Sequence, residues 1–177
     1  SVASHPERAL TTYDVDGDGR QEVLAVFGWT TLRDPSAPPG NTILCLNADG
    51  TERWRYAVHR QVTIGGESYT DNYRIYQMFV GDFERKGTPQ VILCASQDPW
   101  YPNVLIRLNA NDGSYVSEYW HPGTIPHVVQ KDLNGDGIDE LIMAGQNNRY
   151  GRACLVVLDS RRITGYSPTP QKYIPPG

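Results

Sequence analysis

Two nine-residue runs of this chain carry side-chain oxygens at alternate positions. Asp14-Val-Asp-Gly-Asp-Gly-Arg-Gln-Glu22 and Asp132-Leu-Asn-Gly-Asp-Gly-Ile-Asp-Glu140 each place one at positions 1, 3, 5 and 9, with glycine at position 6. A hard divalent cation such as calcium takes about six to eight oxygens, and a tight loop supplies them from alternate residues. Glycine at position 6 permits the sharp turn, because it reaches a positive φ without a Cβ clash. The candidate ligands are therefore Asp14, Asp16, Asp18 and Glu22 in the first run, and Asp132, Asn134, Asp136 and Glu140 in the second. Arg20 and Ile138, at position 7, would contribute only backbone carbonyls. Asp, Asn and Gly also build ordinary turns, but a turn does not require alternate carboxylates at one spacing in two places.

A third run, Asp82-Phe-Glu-Arg-Lys-Gly-Thr-Pro-Gln90, aligns without gaps but puts Lys86 at position 5. An ammonium there repels a dication and can sit among the remaining oxygens as a built-in counter-ion. Loop 82–90 is thus expected to be empty, giving two calcium sites. None of the runs belongs to a helix–loop–helix site, which needs a bidentate Glu at position 12. That position is Ala25 or Met143, inside the apolar runs Glu22–Phe27 and Glu140–Ala144, which read as buried strands.

The runs begin at Asp14, Asp82 and Asp132, 68 and 50 residues apart, a period typical of propellers or arrays. A second element recurs in phase. Thr42–Gly50 and Val104–Gly113 each run into an Asp-Gly turn and a following strand, a hairpin signal; Ala153–Asp159 keeps the strand without that turn. One unit is therefore four antiparallel strands, and the whole chain, 1–177, reads as a single all-β segment with units near 6–58, 74–120 and 125–170. The first period is longer because Val58–Arg74 inserts a polar connection.

The acidic loop followed by an apolar strand resembles the FG-GAP/VCBS repeat, the β-propeller blade of integrin α-subunits and many bacterial proteins. The Asn47–Trp54 pattern is also similar to quinoprotein-like blades. The resemblance spans about Arg8 to Leu158 and implies calcium in the loops, on the eight side chains named above. Lys86, and Glu instead of Asp at position 9, depart from the family pattern.

A net charge of −4 gives no basic footprint for nucleic acid, and no apolar span approaches the length of a membrane helix, so direct membrane insertion is not expected. The 17 glycines and 13 prolines suit a loop-rich β protein. Propellers close with about four to eight blades, so about three imply further blades in a parent chain, or self-association. Ser1 in place of an initiator Met and the Pro-rich end point to excision from a longer protein. Cys45, Cys94 and Cys154, an odd count without a Cys-x-x-Cys pair, read as core residues and argue against an oxidising compartment. Millimolar calcium outside cells argues for an extracytoplasmic or cell-surface setting, and the compartment stays unassigned.

The acidic loops occupy one end of such units. The opposite end would gather Trp29, Trp100, Tyr101, His127, Arg149 and Tyr150, with His121 and Tyr69 nearby. Aromatic faces beside amide and guanidinium groups suit a carbohydrate or a protein ligand. For catalysis the sequence offers little: no nucleophile elbow, no His-Glu-x-x-His and no phosphate loop, so no catalytic residue is assigned. An acid/base set of Asp34, Asp98 and His127 is the one alternative, in a propeller-fold polysaccharide lyase or hydrolase. The reading is a calcium-stabilised binding or interaction module of a larger protein.

Overall fold

The computed structural model describes residues 10–27, 41–98 and 101–171, and within them the chain is all-β. The first sheet has the order β1-β2-β3-β4, from Leu10–Tyr13, Glu22–Phe27, Thr42–Leu46 and Glu52–Ala57. Next come a small hairpin, β5 (Val62–Ile64) with β6 (Glu67–Tyr69), and the strands β7 (Tyr73–Gly81), β8 (Gln90–Gln97), β9 (Asn103–Asn109) and β10 (Tyr115–His121). The third sheet is β11 (Gly123–Lys131), β12 (Glu140–Asn147) and β13 (Arg152–Asp159). A short 3-10 turn, Ser160–Arg162, leads to β14 (Gly165–Tyr166). Neighbouring strands are antiparallel except β14, which lies parallel to β10.

The sheets pack in one constant sense, set by the period-2 alternation of side chains along each strand. Counting from the first Asp of each loop, position 11 is Leu24, Ile92 and Ile142. Leu24 enters the core between the first and second sheets, beside Ile43 and Trp54. Ile92 enters the core between the second and third sheets, beside Leu105 and Leu141. Positions 10 and 12 point the other way: Val91 and Leu93 join the first core, Leu141 and Met143 the second. Each sheet thus turns a forward face to its successor and a backward face to its predecessor. The second sheet is covered on both sides, so β8 reads as a near-continuous apolar run, and Val91 to Ala95 are all fully buried.

The described residues do not form a uniform four-stranded unit. The first sheet has four strands, the second five and the third three. The strand expected to complete unit 125–170 is β14, and it pairs with Tyr119 and Trp120 of the second sheet instead. Its anchor is Ser167, whose N–H donates to the Trp120 carbonyl at 2.8 Å and whose hydroxyl meets Tyr119 Oη at 2.7 Å and His121 Nδ1 at 2.6 Å. The insertion read as a polar connection is the β5–β6 hairpin, turning at Gly65-Gly66, both at positive φ. Pro126 sits inside β11 where the register with β12 shifts, the kind of irregularity that tolerates a residue without an N–H.

Candidate metal centre

The two complete loops join β1 to β2 and β11 to β12, and they match bond for bond. The first Asp is the hub. Asp14 accepts the N–H of Gly17 at 2.7 Å and of Gly19 at 2.9 Å, one on each oxygen. Asp132 accepts Gly135 at 2.7 Å and Gly137 at 2.8 Å in the same way. Position 3 accepts the N–H of position 5, Asp16 from Asp18 at 3.1 Å and Asn134 from Asp136 at 2.8 Å. Position 5 accepts the N–H of position 7, Asp18 from Arg20 at 2.7 Å and Asp136 from Ile138 at 2.8 Å. The geometry needs left-handed backbone at positions 4 and 6, where Gly17, Gly19, Gly135 and Gly137 lie between φ 78° and 85°. At Asp132, desolvation works upward, but the N–H groups of Gly135 and Gly137 outweigh it and lower the pKa.

An ionised carboxylate has about four acceptor sites, so an oxygen holding one N–H can still face a cation. In the first loop one oxygen each of Asp14, Asp16 and Asp18 lies within 4.8 Å of the others, an arrangement able to hold a metal ion. The donor set is all oxygen, which suits a hard cation. Glu22 and Glu140 play a second part. Each is buried and turns Oε2 back to the N–H of position 2, Val15 at 3.0 Å and Leu133 at 2.9 Å. Glu140 Oε1 also accepts from Asn134 Nδ2 at 3.1 Å.

Arginines distant in sequence touch the loops. Arg53 of β4 lies 3.0 Å from Asp16, and Arg161 lies 3.4 Å from Asp136. Neither was foreseeable, since nothing in the local spacing ties a loop to a residue 37 or 25 positions later.

The middle loop, between β7 and β8, keeps the frame and changes the filling. Asp82 still accepts the N–H of position 6, Gly87, at 2.7 Å. Position 4 still has positive φ, now on Arg85 at 54°. The Lys86 ammonium is 2.7 Å from Glu84 and its side chain is 70% exposed. It therefore neutralises position 3 from outside and does not sit centrally among the oxygens. Buried Arg107 binds the other Glu84 oxygen, and together Lys86, then Arg107, lower the Glu84 pKa. This acidic position is committed to two cations of the chain.

At the opposite end the structure brings together part of the expected ligand face. Tyr101 packs against Tyr69, ring centroids 5.9 Å apart, and Arg149 bonds to the Tyr69 hydroxyl and to Glu67 at 2.8 Å. Arg149, then Tyr69, hold the Glu67 carboxyl down at about 2. The inserted hairpin thus occupies Arg149, a role the sequence did not show. Tyr150 is exposed. His127 pairs in register with Ala144 on the outer side of the third sheet, away from this group. Trp29, Trp100 and Asp34 lie outside the described residues. Asp98 pairs with Arg74 at 3.5 Å, on the wall of a cavity of about 200 Å³ shared with Gln97, Asn103 and Thr124.

His121 is not on an open face. It is fully buried, held by Ser167, the Gln146 carbonyl at 3.1 Å and the Cys154 sulfur at 3.6 Å. With Nε2–H donating to that carbonyl, the ring cannot take the Cys154 proton through Nε2, and burial raises the thiol pKa further. The cluster is structural. Cys45 and Cys94 are buried, Cys154 is half-buried, and none is in a disulfide.

Among the described residues no helix is long and apolar enough to cross a membrane. No family model, curated protein or solved structure matches the chain.

Proposed function

We propose that the chain is a calcium-stabilised segment of an FG-GAP/VCBS-type β-propeller, serving as a binding or interaction module of a larger protein. The bond-for-bond identity of the loops at Asp14 and Asp132 carries this reading. Two segments far apart in sequence build one backbone frame around alternate oxygens, and a simple turn requires no such frame. The constant forward-to-backward stacking of the sheets supports the blade reading. The aromatic end, with Tyr101 and Tyr150, is the place for a protein or carbohydrate ligand. For the lyase or hydrolase alternative, Asp98 pairs with Arg74 and His127 lies opposite Ala144, while Asp34 lies outside the described residues.

Thermal melting with calcium and with a chelator tests the metal. An ion that binds only the folded chain raises stability by RT ln(1 + [L]/Kd), about 2.7 kcal/mol per site at a hundredfold excess over Kd. The midpoint should rise with calcium and fall back with chelator. Identical curves in both would end the metal reading.

A further inference from the structure

Strands β7 and β11 are irregular at the end away from the acidic loops, and both irregularities open on one cavity. In β7 the register with β8 slips between Ile75 and Gln77, leaving Tyr76 as the extra residue. In β11 the register with β12 slips between Thr124 and His127, around Ile125 and Pro126. A bulge re-aims side chains and is common beside functional sites. Here Tyr76, Ile125 and Pro126 all line the cavity of about 200 Å³ that also holds Arg74 and Asp98. Its walls come from the second and third sheets, where they face each other, and not from an outer face of the stack.

The cleft is fixed before any ligand arrives. At the β11 bulge the Ile125 N–H donates to Asn103 Oδ1 at 3.0 Å, across the two sheets, and Asn103 is 1% exposed. Further along, Gln77 Nε2 donates to the Val128 carbonyl at 3.0 Å. A preformed site loses less freedom on binding.

The lining is neutral in sum. Arg74 and Asp98 are its only charged side chains among the described residues, 3.5 Å apart and 42% and 41% exposed. That separation is at the long limit of a direct bond, so a hydroxyl group fits between them. Asp98 accepts from Asn72 Nδ2 at 3.2 Å, and an ionised carboxylate has about four acceptor sites, which leaves capacity for more. Tyr76 and Pro126 add ring surface beside this polar pair. The volume lies below the roughly 300–1,000 Å³ of sites that enclose drug-sized ligands, which suits one ring and not an oligomer.

We propose that this cleft binds a single neutral sugar ring, a hexopyranose unit of a glycan, with adjacent hydroxyls spanning Arg74 and Asp98. A diol donates to the carboxylate and accepts from the guanidinium with the pair left in place, and both bonds are charge-assisted. A zwitterion would have to pull the pair apart. The inference rests on the reading of the chain as a binding module and narrows its ligand to carbohydrate; it does not depend on calcium in the loops.

The test is saturation-transfer NMR on the 177-residue chain with the methyl α- and β-hexosides of glucose, galactose and mannose, and with free alanine as the zwitterion. At least one hexoside should bind saturably, with a Kd on the order of millimolar. Arg74→Ala and Asp98→Ala should each weaken it by about tenfold or more, the loss of one charge-assisted bond, with melting curves like the parent's. Tyr150→Ala, at the aromatic end, should bind as the parent does. A variant that melts lower is replaced by Arg74→Gln or Asp98→Asn. Three results overturn the proposal: no hexoside binds, alanine binds in their place, or a hexoside binds both cleft variants like the parent. If that last case comes with loss in Tyr150→Ala, the sugar sits at the aromatic end, and the binding-module reading survives without the cleft. If no hexoside binds, the calcium melt still judges that reading separately.

Discussion

Arg85 holds at φ 54° the loop position that Gly135 holds at φ 78°. A side chain in the left-handed region costs about 1–2 kcal/mol, so the middle loop keeps this frame against the preference of its own residue. The guanidinium offsets part of that by bonding to the Gly137 carbonyl of the neighbouring acidic loop. Arg85→Gly removes the strain but also the tether, and it frees the unfolded chain. It should unfold within about 0.5 kcal/mol of the parent by these opposed effects. Arg85→Val loses the same tether and keeps a side chain, now β-branched, at positive φ, so it should be about 1–2 kcal/mol less stable than Arg85→Gly. Urea unfolding of the pair isolates the backbone contribution; equal losses in both would assign it to the guanidinium.

If the second acidic loop holds calcium as proposed, Asp136→Ala should weaken it. The substitution deletes the position-5 carboxylate and the acceptor for the Ile138 N–H, and leaves Arg161 with Asp159 alone. In saturating calcium the loss should be about 1–3 kcal/mol, and calorimetry should count one ion fewer per chain. Since the hydrogen bond is lost with or without calcium, the informative quantity is the difference between calcium and chelator. A calcium increment equal to the parent's would remove the ion from this loop.

Lys86→Asp asks whether the middle frame can be refilled. Lys86 bonds to Glu84 from an exposed position, so its replacement releases one of the two cations on that carboxylate and adds a third carboxylate beside Asp82. The expected result is one additional weak calcium ion per chain by calorimetry. Arg107 remains on Glu84, which keeps the new site weaker than its neighbours. Unchanged stoichiometry would mean that Arg107, not Lys86, excludes the ion.

His121 predicts a pH dependence. Burial lowers its pKa below the ordinary 6.5, outweighing the Gln146 carbonyl that favours the charged ring. The unfolded chain then takes up the proton first, so this contribution is complete above about pH 6.5 and is lost as pH falls from there toward the depressed folded value. The urea midpoint should drop between pH 7.5 and 5.5, and the drop should flatten in His121→Gln. Ring resonances titrating above 6.5 would reverse the sign and refute it.

The acidic loops were legible because their chemistry is local: alternate oxygens and left-handed glycines show in nine residues. The apolar cores of β2 and β12 were legible because short apolar runs bounded by turns have few other readings. The destination of β14 was not. Two residues, Gly165 and Tyr166, carry no periodicity, and they join the second sheet through Ser167 and the partners it finds at Tyr119 and His121. His121 read as a surface group because its cover, Ser167, lies 46 residues away. Arg149 read as open for the same reason, its partners Glu67 and Tyr69 being supplied by the inserted hairpin. Local order set the strands; long-range pairing chose which polar groups stayed exposed.

The return of β14 to β10 has a mechanical consequence. The chain leaves the second sheet at His121 and comes back to it at Gly165, so the third sheet is an excursion fastened at both ends. Strands β11 to β13 cannot peel away from one side in sequence, as the last unit of a simple stack would. Either the clasp at Ser167 opens first, or the whole excursion lifts as a loop with its base held. Amide exchange in β13 should therefore be governed by the clasp, although Leu155 and Val157 on its outer face are exposed, and a load on the following chain would reach the second sheet before the third.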